Sequence, residues 1–564
     1  MDTLSHSRSP SLEQPSPTSP IDKQTSIDKP DNDQQQSKTG AVQVGTYDAT
    51  SANGIPLTTY ERKALLINKE LDIIGMGRYQ WCLFFLCGMG YFLDLLWAQA
   101  FGLLASPLSI ELNVQETIGN IFTAFSVGLT VGALFWGLAA DVLGRRLCFN
   151  LTCLIAGIFG TIFGAISNFD GLLFITAVIG LGIGGNIPLD SLLVLEFIPN
   201  NRRILLALLS LFQPLGVVVS CAIAYGLIPP FSCDASLPAC GLGQEPCCTK
   251  ASNYGWRYMT YTLGGITIIV FILRFVVFDL QESPKFLLAQ GREAEAIAVL
   301  EHIAHFNKRP SPELTLEDFD RITNESTEAT ATDEDSGKFR RPLTKAEATR
   351  KVVRNMLGRF KHLKGIFANR FLSLTFVLLA IGFMAEFWAF NIAGGFLPLI
   401  LRNKGIAADV SIYTTYQHYL IIYGAGGVPG VLLGAFLLQL PLIGRKWGMV
   451  ISAALMAVSL FLFTVINSQA GNVVFNLLEY LFQSALNAIL YAFVPEIFPA
   501  QVRGSASGML STLGRLSGII APIAATQTYK SSTDGVLYLA GGGALVAMVA
   551  FALLPFETRG RQTY

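Results

Sequence analysis

Charged side chains are scarce in this sequence, and neither sign of charge prevails. Only 14% of the 564 residues are charged, whereas soluble domains carry roughly 25%. The 40 basic residues balance the 40 acidic ones, so the chain has no basic excess with which to bind nucleic acid. This composition argues against a soluble protein and against a nucleic-acid partner.

Histidine is scarce as well, and the five that are present form no cluster with cysteine of the kind that binds zinc. No nucleophile lies beside a general base in a recognisable motif, and no glycine-rich nucleotide loop follows a predicted strand. The sequence therefore predicts no catalytic or metal site, no cofactor and no ATP-driven step. We do not expect an enzyme.

Long apolar segments are abundant. Hydrophobic residues make up 51% of the chain, the mean hydropathy is +0.47, and a membrane-spanning helix needs roughly 20 apolar residues. Twelve segments meet this requirement, near 79–104, 116–140, 147–167, 171–197, 204–229, 256–279, 370–400, 411–438, 446–466, 471–495, 504–528 and 534–555. The sequence predicts an all-α, multi-pass membrane protein with both termini on one side.

Two short motifs recur at the same distance along the chain. Gly444, Arg445 and Lys446 lie 300 residues after Gly144, Arg145 and Arg146. The motif in the segment from Glu196 to Arg203 likewise recurs in the segment from Glu496 to Arg503, with a proline at the same position in each. Two independent pairs at one offset indicate a duplicated half in parallel orientation. We therefore expect two six-helix pseudo-repeats, at 79–279 and 370–555.

Basic residues in short loops mark the cytoplasmic side of a membrane protein. With this orientation the short cytoplasmic segments carry Arg145, Arg146, Arg202, Arg203, Arg445, Lys446, Arg503, Arg559 and Arg561. The remaining segments are predicted to be a disordered cytoplasmic tail at 1–58, an amphipathic pre-membrane helix at 59–78, a cytoplasmic linker at 280–369 and a cytoplasmic C-terminal tail at 556–564. We expect a monomer in the plasma membrane, with a vacuolar or other internal membrane as the alternative.

Four cysteines, Cys233, Cys240, Cys247 and Cys248, crowd one polar loop that this topology places outside the cell. An oxidising compartment favours disulfides. The sequence predicts two disulfides in this loop and leaves their pairing open.

The short motifs resemble those of the major facilitator superfamily. Gly137, Asp141, Gly144, Arg145 and Arg146 match its loop signature between spans two and three. The segment from Gln281 to Lys285 resembles a motif that follows span six in the sugar-porter branch, with Gln281 in place of a proline, and the segment from Pro555 to Arg561 is similar to the ending of that branch.

Two other segments look more like the synaptic-vesicle-transporter-like and phosphate-porter branches. They run from Gly88 to Asp94 and from Gly182 to Pro199. Trp97 stands where phosphate porters carry a second acid, and span four lacks the arginine that proton-coupled sugar porters place there. The resemblance implies a twelve-helix transporter that works by alternating access.

Ionisable groups within spans are costly and therefore mark functional sites. Asp94, in the middle of the first span, is predicted to bind a proton or a cationic substrate, and a structural hydrogen-bond anchor is the alternative. The other predicted pathway residues, each with static pairing as its alternative, are Asp190, Gln213, Glu386, Asn391, Glu479, Gln483 and Asn487.

The motif charges at the cytoplasmic ends of the helices predict a gate that holds the two bundles together and opens when one rocks against the other. A topology signal with a static clasp is the alternative. The gate residues are Gly137, Asp141, Gly144, Arg145, Arg146, Glu196, Arg203, Arg445, Glu496 and Arg503.

We interpret the sequence as a secondary transporter of a small polar, anionic or sugar-like organic solute, with proton coupling through Asp94. The expected partners are this solute, protons and the lipid bilayer. A non-transporting nutrient receptor on the same scaffold is the first alternative, because a long tail and a long linker suit signalling. An uncoupled facilitator is the second.

Overall fold

The computed structural model describes residues 59–114, 117–233, 237, 240, 246–330, 367, 370–403, 412–440, 443–465, 468–498 and 503–555. The predicted tails at 1–58 and 556–564 lie outside these residues, as does the linker segment 331–366.

Regular structure in the described residues is helical, apart from an isolated β-bridge at Cys248. The helices are α1 Thr59–Ile74, α2 Arg78–Leu112, α3 Asn120–Leu143, α4 Arg145–Phe163, α5 Phe169–Ile183, α6 Asn186–Phe197, α7 Ile204–Leu209, α8 Phe212–Leu227, α9 Gly255–Ile272, α10 Pro284–Ala289, α11 Glu293–Phe306, α12 Leu316–Thr330, α13 Arg370–Asn403, α14 Ile412–Gln439, α15 Gly444–Val465, α16 Gln469–Ile497, α17 Arg503–Ser531 and α18 Thr533–Ala552.

Within the described part of the chain, twelve helical segments are long and apolar enough to cross a membrane. Spans 1 to 12 are α2, α3, α4, α5 with α6, α7 with α8, α9, and then α13 to α18. The all-α fold with twelve spans that the sequence predicts is confirmed.

The helix contacts follow the duplication. In the first half span 1 packs on span 5, span 2 on span 4, and span 3 on span 6. In the second half span 7 packs on span 11, span 8 on span 10, and span 9 on span 12. The two halves meet where span 2 packs on span 11 and span 5 on span 8. A shift of six spans converts one of these contacts into the other, so the interface has the same twofold character as the sequence repeat.

Small residues set the closest helix contacts in both halves. A Cβ on Gly132 in span 2 would collide with the carbonyl oxygen of Leu181 in span 4. A Cβ on Gly430 in span 8 would collide with that of Leu481 in span 10. Leu181 and Leu481 are themselves 300 residues apart. Because lipid provides little hydrophobic drive between helices, close backbone approach supplies much of their attraction.

One end of the bundle, the linker side, carries a layer of four helices, α1, α10, α11 and α12, which we call the linker layer. These helices pack on one another, and α11 also contacts span 1. Buried Ile67 and Phe319 belong to their shared core, and Lys63 forms an ion pair of 2.7 Å with Glu293. The helix at 59–74 therefore buries its apolar face against the linker helices.

The opposite end, the loop side, carries the cysteine-rich loop. Cys233 is bonded to Cys248 and Cys240 to Cys247. Beside this loop, Glu111 at the end of span 1 accepts hydrogen bonds from Trp256 and Arg257 at the start of span 6. Spans 1 and 6 are thus joined at the loop side by a buried ion pair of 2.7 Å.

The glycine contacts generate a testable prediction. Gly132→Ala forces spans 2 and 4 apart and should lower the free energy of unfolding by about 1–3 kcal/mol, the usual cost of overpacking. Thermal unfolding in detergent, followed by intrinsic fluorescence, measures this change. Gly265→Ala in span 6 is the matched control, because no atom lies within 4 Å of the added carbon. Equal melting temperatures for the two variants would contradict the close packing of spans 2 and 4.

Candidate functional site

A polar cavity lies where the two halves meet, with an empty volume of about 470 Å³ when the space at its mouth is included. Spans 1, 5, 7, 8 and 10 contribute its lining. Five of the predicted pathway residues line it together: Asp94, Gln213, Glu386, Gln483 and Asn487. The cavity thus collects polar groups from both halves inside a membrane-spanning bundle.

Asp94 pairs with Arg515, a basic residue inside span 11 that was not among the predicted pathway residues. The guanidinium of Arg515 in span 11 lies 3.5 Å from the carboxylate of Asp94 in span 1, and only 4% and 10% of these side chains is exposed. Arg515 also donates to the carbonyl oxygen of Leu129 in span 2. The only sequence signal for this role was a lone basic residue inside an apolar span. Because spans 1 and 11 belong to different halves, the ion pair bridges the two halves.

The second half supplies a cluster of amides and acids. Glu479, Gln483 and Asn487 are spaced four residues apart in span 10 and therefore lie on one face of the helix. The amides of Gln483 and Asn487 interact with the carboxylate of Glu386 in span 7, and Glu386 and Glu479 lie close enough for their charges to interact. All four side chains keep one oxygen that has no hydrogen-bond partner among the described residues.

Asn391 is turned away from this cluster. Its amide donates to the carbonyl oxygen of Phe387 one turn earlier in span 7, at 2.7 Å. It also lies against Gly518 of span 11. The structure therefore places Asn391 in a helix contact rather than in the lining of the cavity.

Asp190 also lies outside the lining of the cavity. It forms an ion pair of 3.1 Å with Arg274 of span 6, and neither side chain is exposed. Arg274 donates further hydrogen bonds to the carbonyl oxygens of Leu86 and Phe149. A Cβ on Gly90 would collide with the Asp190 carboxylate, so span 1 packs directly on this pair. The pair fastens four spans of the first half, which agrees with static pairing rather than with a place on the pathway.

The motif residues at the linker side form a network within the first half. Arg145 makes an ion pair of 2.9 Å with Glu196. The backbone amides of Arg145 and Arg146, at the start of span 3, donate to the two carboxylate oxygens of Glu282 at 2.9 and 3.3 Å. A carboxylate at a helix N-terminus accepts hydrogen bonds from the free backbone amides and interacts favourably with the positive end of the helix dipole. Glu282 therefore caps span 3 from the segment that follows span 6. Gly144, whose φ of +97° suits glycine, gives this carboxylate room.

The second half repeats the ion pair at an offset of 300 residues. Arg445 binds Glu496 at 2.7 Å, as Arg145 binds Glu196. Arg203 of the first half lies near the second-half pair, close enough to Glu496 for their charges to interact. Burial is the main cause that lowers the pKa of the Arg203 guanidinium, and the nearby Glu496 carboxylate acts in the opposite direction. The gate residues were predicted to hold the two halves together, but these two arginine–glutamate ion pairs each lie within one half, and Arg203 is a gate residue that lies near the other half. The side chains of Asp141 and Arg503 lie outside the described residues.

The buried Asp190–Arg274 pair can be tested by stability. Asp190→Asn leaves a buried guanidinium unpaired and should cost about 3–5 kcal/mol, seen as a lower melting temperature in detergent. The double variant Asp190→Leu with Arg274→Met replaces both charges by apolar groups and should recover most of the loss. A single variant as stable as the unaltered protein would contradict the structural role.

Comparison with known proteins gives one consistent result. Residues 89–564 match the family model described as sugar (and other) transporter. The chain is 38% identical over 506 residues, or 89% of its length and 92% of the relative's, to MFS siderochrome iron transporter 1 of Ceriporiopsis subvermispora. It is 33% identical to the major facilitator-type transporter hxnZ of Emericella nidulans, over 89% of this chain and 88% of that protein.

A solved structure agrees in fold. The proton:xylose symporter XylE, bound to a bromodeoxyglucose, superposes with a TM-score of 0.60 at 15% identity, over 86% of this chain and 98% of that one. At this identity the likeness concerns the fold alone. The family match covers most of the chain, and the relatives are transporters rather than enzymes. This chain therefore belongs to the sugar (and other) transporter family of the major facilitator superfamily.

Proposed function

We propose that this transporter carries a small polar organic solute through the central cavity by alternating access, and that protons drive it. The observation that carries the proposal is the buried ion pair between Asp94 and Arg515, which joins the two halves beside a polar cavity. Duplicated halves that meet at a midplane site rock against each other in transporters of this kind.

The Asp94–Arg515 pair supplies a means of coupling. A proton bound to Asp94 removes the charge that holds Arg515, and the contact between span 1 and span 11 weakens. Separation of the halves exposes the cavity, and return of the proton to water restores the pair. This chain lacks a basic residue in span 4, so an arginine from the other half takes the role of partner to the acid.

At the linker side, Arg203 and Glu496 form the gate in this proposal. They bring the start of span 5 to the end of span 10 and close the cavity on that side. The basic residues of the linker-side turns favour a cytoplasmic position for this end, with both termini inside. The disulfides of the opposite loop suit an outward-facing surface, and so a plasma-membrane location.

Solute uptake into proteoliposomes tests the function. Sugars, carboxylates, phosphate, vitamins and amines are screened with and without an inward proton gradient. The gradient should stimulate uptake of one class, and Asp94→Asn should reduce this stimulation roughly tenfold, the effect of losing about 1.4 kcal/mol of coupling.

Asp320→Asn is the control, because it removes an exposed acid in the linker layer and should leave uptake unchanged. Uptake that needs no gradient and survives Asp94→Asn would make the protein an uncoupled facilitator, with Asp94 a structural residue. A compound that raises the melting temperature but is never taken up would favour the receptor alternative.

The gate can be tested separately by accessibility. Glu496→Gln removes the acid that faces both Arg445 and Arg203, and should favour the conformation that is open at the linker side. Modification of a cavity cysteine introduced by Ser484→Cys should then become roughly tenfold faster with an impermeant thiol reagent on that side.

The same Glu496→Gln protein without the added cysteine gives the background from the native thiols. An unchanged modification rate would show that the Arg203–Glu496 contact does not hold the gate closed. The Glu295→Gln variant, which removes an exposed acid of α11, should match the unaltered gate.

A further inference from the structure

The lining of the cavity carries more negative than positive charge. Arg515 neutralises Asp94. Glu386 in the lining, and Glu479 outside it one turn before Gln483, have no basic side chain as an ion-pair partner in the described part of the chain, although they are 2% and 8% exposed. Two buried carboxylates without a cation are costly. Each of these acids therefore either holds a proton or is balanced by a cation from outside the protein.

The hydrogen-bond acceptors of this cluster that lack a donor also favour a cationic ligand. Since the amides of Gln483 and Asn487 turn their N–H groups to Glu386, their carbonyl oxygens stay free. Together with one oxygen each from Glu386 and Glu479, four buried acceptors lack a donor. An ammonium group offers only donors and carries a positive charge, so it satisfies both needs at once.

Aromatic rings border the same space. Phe387 and Phe390 of span 7 and Tyr480 and Tyr491 of span 10 line the cavity with Glu386. Aromatic faces attract cations, and most strongly when water is excluded. Rings of this kind hold the carbon-bearing part of an organic cation, whereas a hydrated metal ion gains little from them.

We propose that the solute is a small organic cation whose charged nitrogen is held between Glu386 and Glu479. This inference rests on the proposed function and names the substrate class of the same cavity. An anion would meet two acids that lack a basic partner, and a neutral polyol would gain nothing from the charge of either carboxylate. The selectivity therefore comes from the second half, whereas the coupling pair includes Asp94 of the first half.

Matched probes test the charge requirement. Binding to the purified full-length protein in detergent is measured by titration calorimetry at neutral pH with benzylamine, benzyl alcohol and benzoate, which differ in charge but little in shape. Choline is compared with its neutral analogue, in which a carbon replaces the nitrogen. Benzylamine should bind at least roughly tenfold more tightly than benzyl alcohol, the worth of one charge-assisted hydrogen bond, and benzoate should bind least. Choline, which has no N–H group, should bind more tightly than its neutral analogue through its charge and the aromatic rings alone.

Variants locate the charge. Glu386→Gln and Glu479→Gln keep the size of each side chain and should each weaken benzylamine binding roughly tenfold, while the weak binding of benzyl alcohol stays the same. That unchanged binding, with an unchanged melting temperature, shows that the variant has folded. Glu295→Gln, an exposed acid far along the chain in α11, is the control and should leave all affinities unchanged.

Several outcomes would overturn the inference. Cations that bind no more tightly than their neutral analogues, tighter binding of benzoate, or no binding of either cation would each do so. So would competition between sodium ions and benzylamine that is lost in both glutamine variants, because it would indicate a metal-ion site. Proton-driven uptake of a sugar by a protein that binds neither cation would also reject the cation class but leave the proposed transport intact. Absence of uptake of every solute in the panel would instead defeat the proposed function.

Discussion

A bilayer core cannot solvate an ionised side chain, so each charge within a span needs a partner of opposite charge. Whether that partner lies in the same half or in the other half determines whether the ion pair depends on the position of the halves. Asp190 and Arg274 neutralise each other's charge inside the first half, so they add rigidity. Asp94 and Arg515 also compensate each other, but across the boundary between the halves. Their pairing therefore depends on the relative position of two bodies that the fold allows to move.

The duplication accounts for how the helices pack but not for which polar residues line the cavity. The Arg145–Glu196 and Arg445–Glu496 pairs recur 300 residues apart, and so do the carbonyl groups on which the glycines of spans 2 and 8 pack. At the same offset, however, Glu479 corresponds to Ile179 and Arg515 to Leu215. The two halves share a shape, whereas the polar groups of the cavity differ between them. The cavity therefore has two unlike walls.

The sequence predicted the twelve spans and the repeat, because apolar length and motif offset are local properties. It also predicted five residues of the cavity, since a polar side chain in an apolar span must face protein or water rather than lipid. It could not distinguish Asp190 from Asp94, because the partner of Asp190 comes from span 6 and that of Asp94 from span 11. The capping of span 3 by Glu282 was equally invisible, since the cap and the helix start are more than a hundred residues apart.

The cap at the start of span 3 is one of the points at which the linker is attached to the first half. Glu282 stands at the first residues of the linker and holds the free amides of span 3, while span 3 packs along span 6. Neither of these spans lines the central cavity. The linker is thus attached through this cap to two helices at the periphery of the first half, and through α11 to span 1, which lines the cavity. A pull on the linker would therefore reach both the periphery and one wall of the cavity.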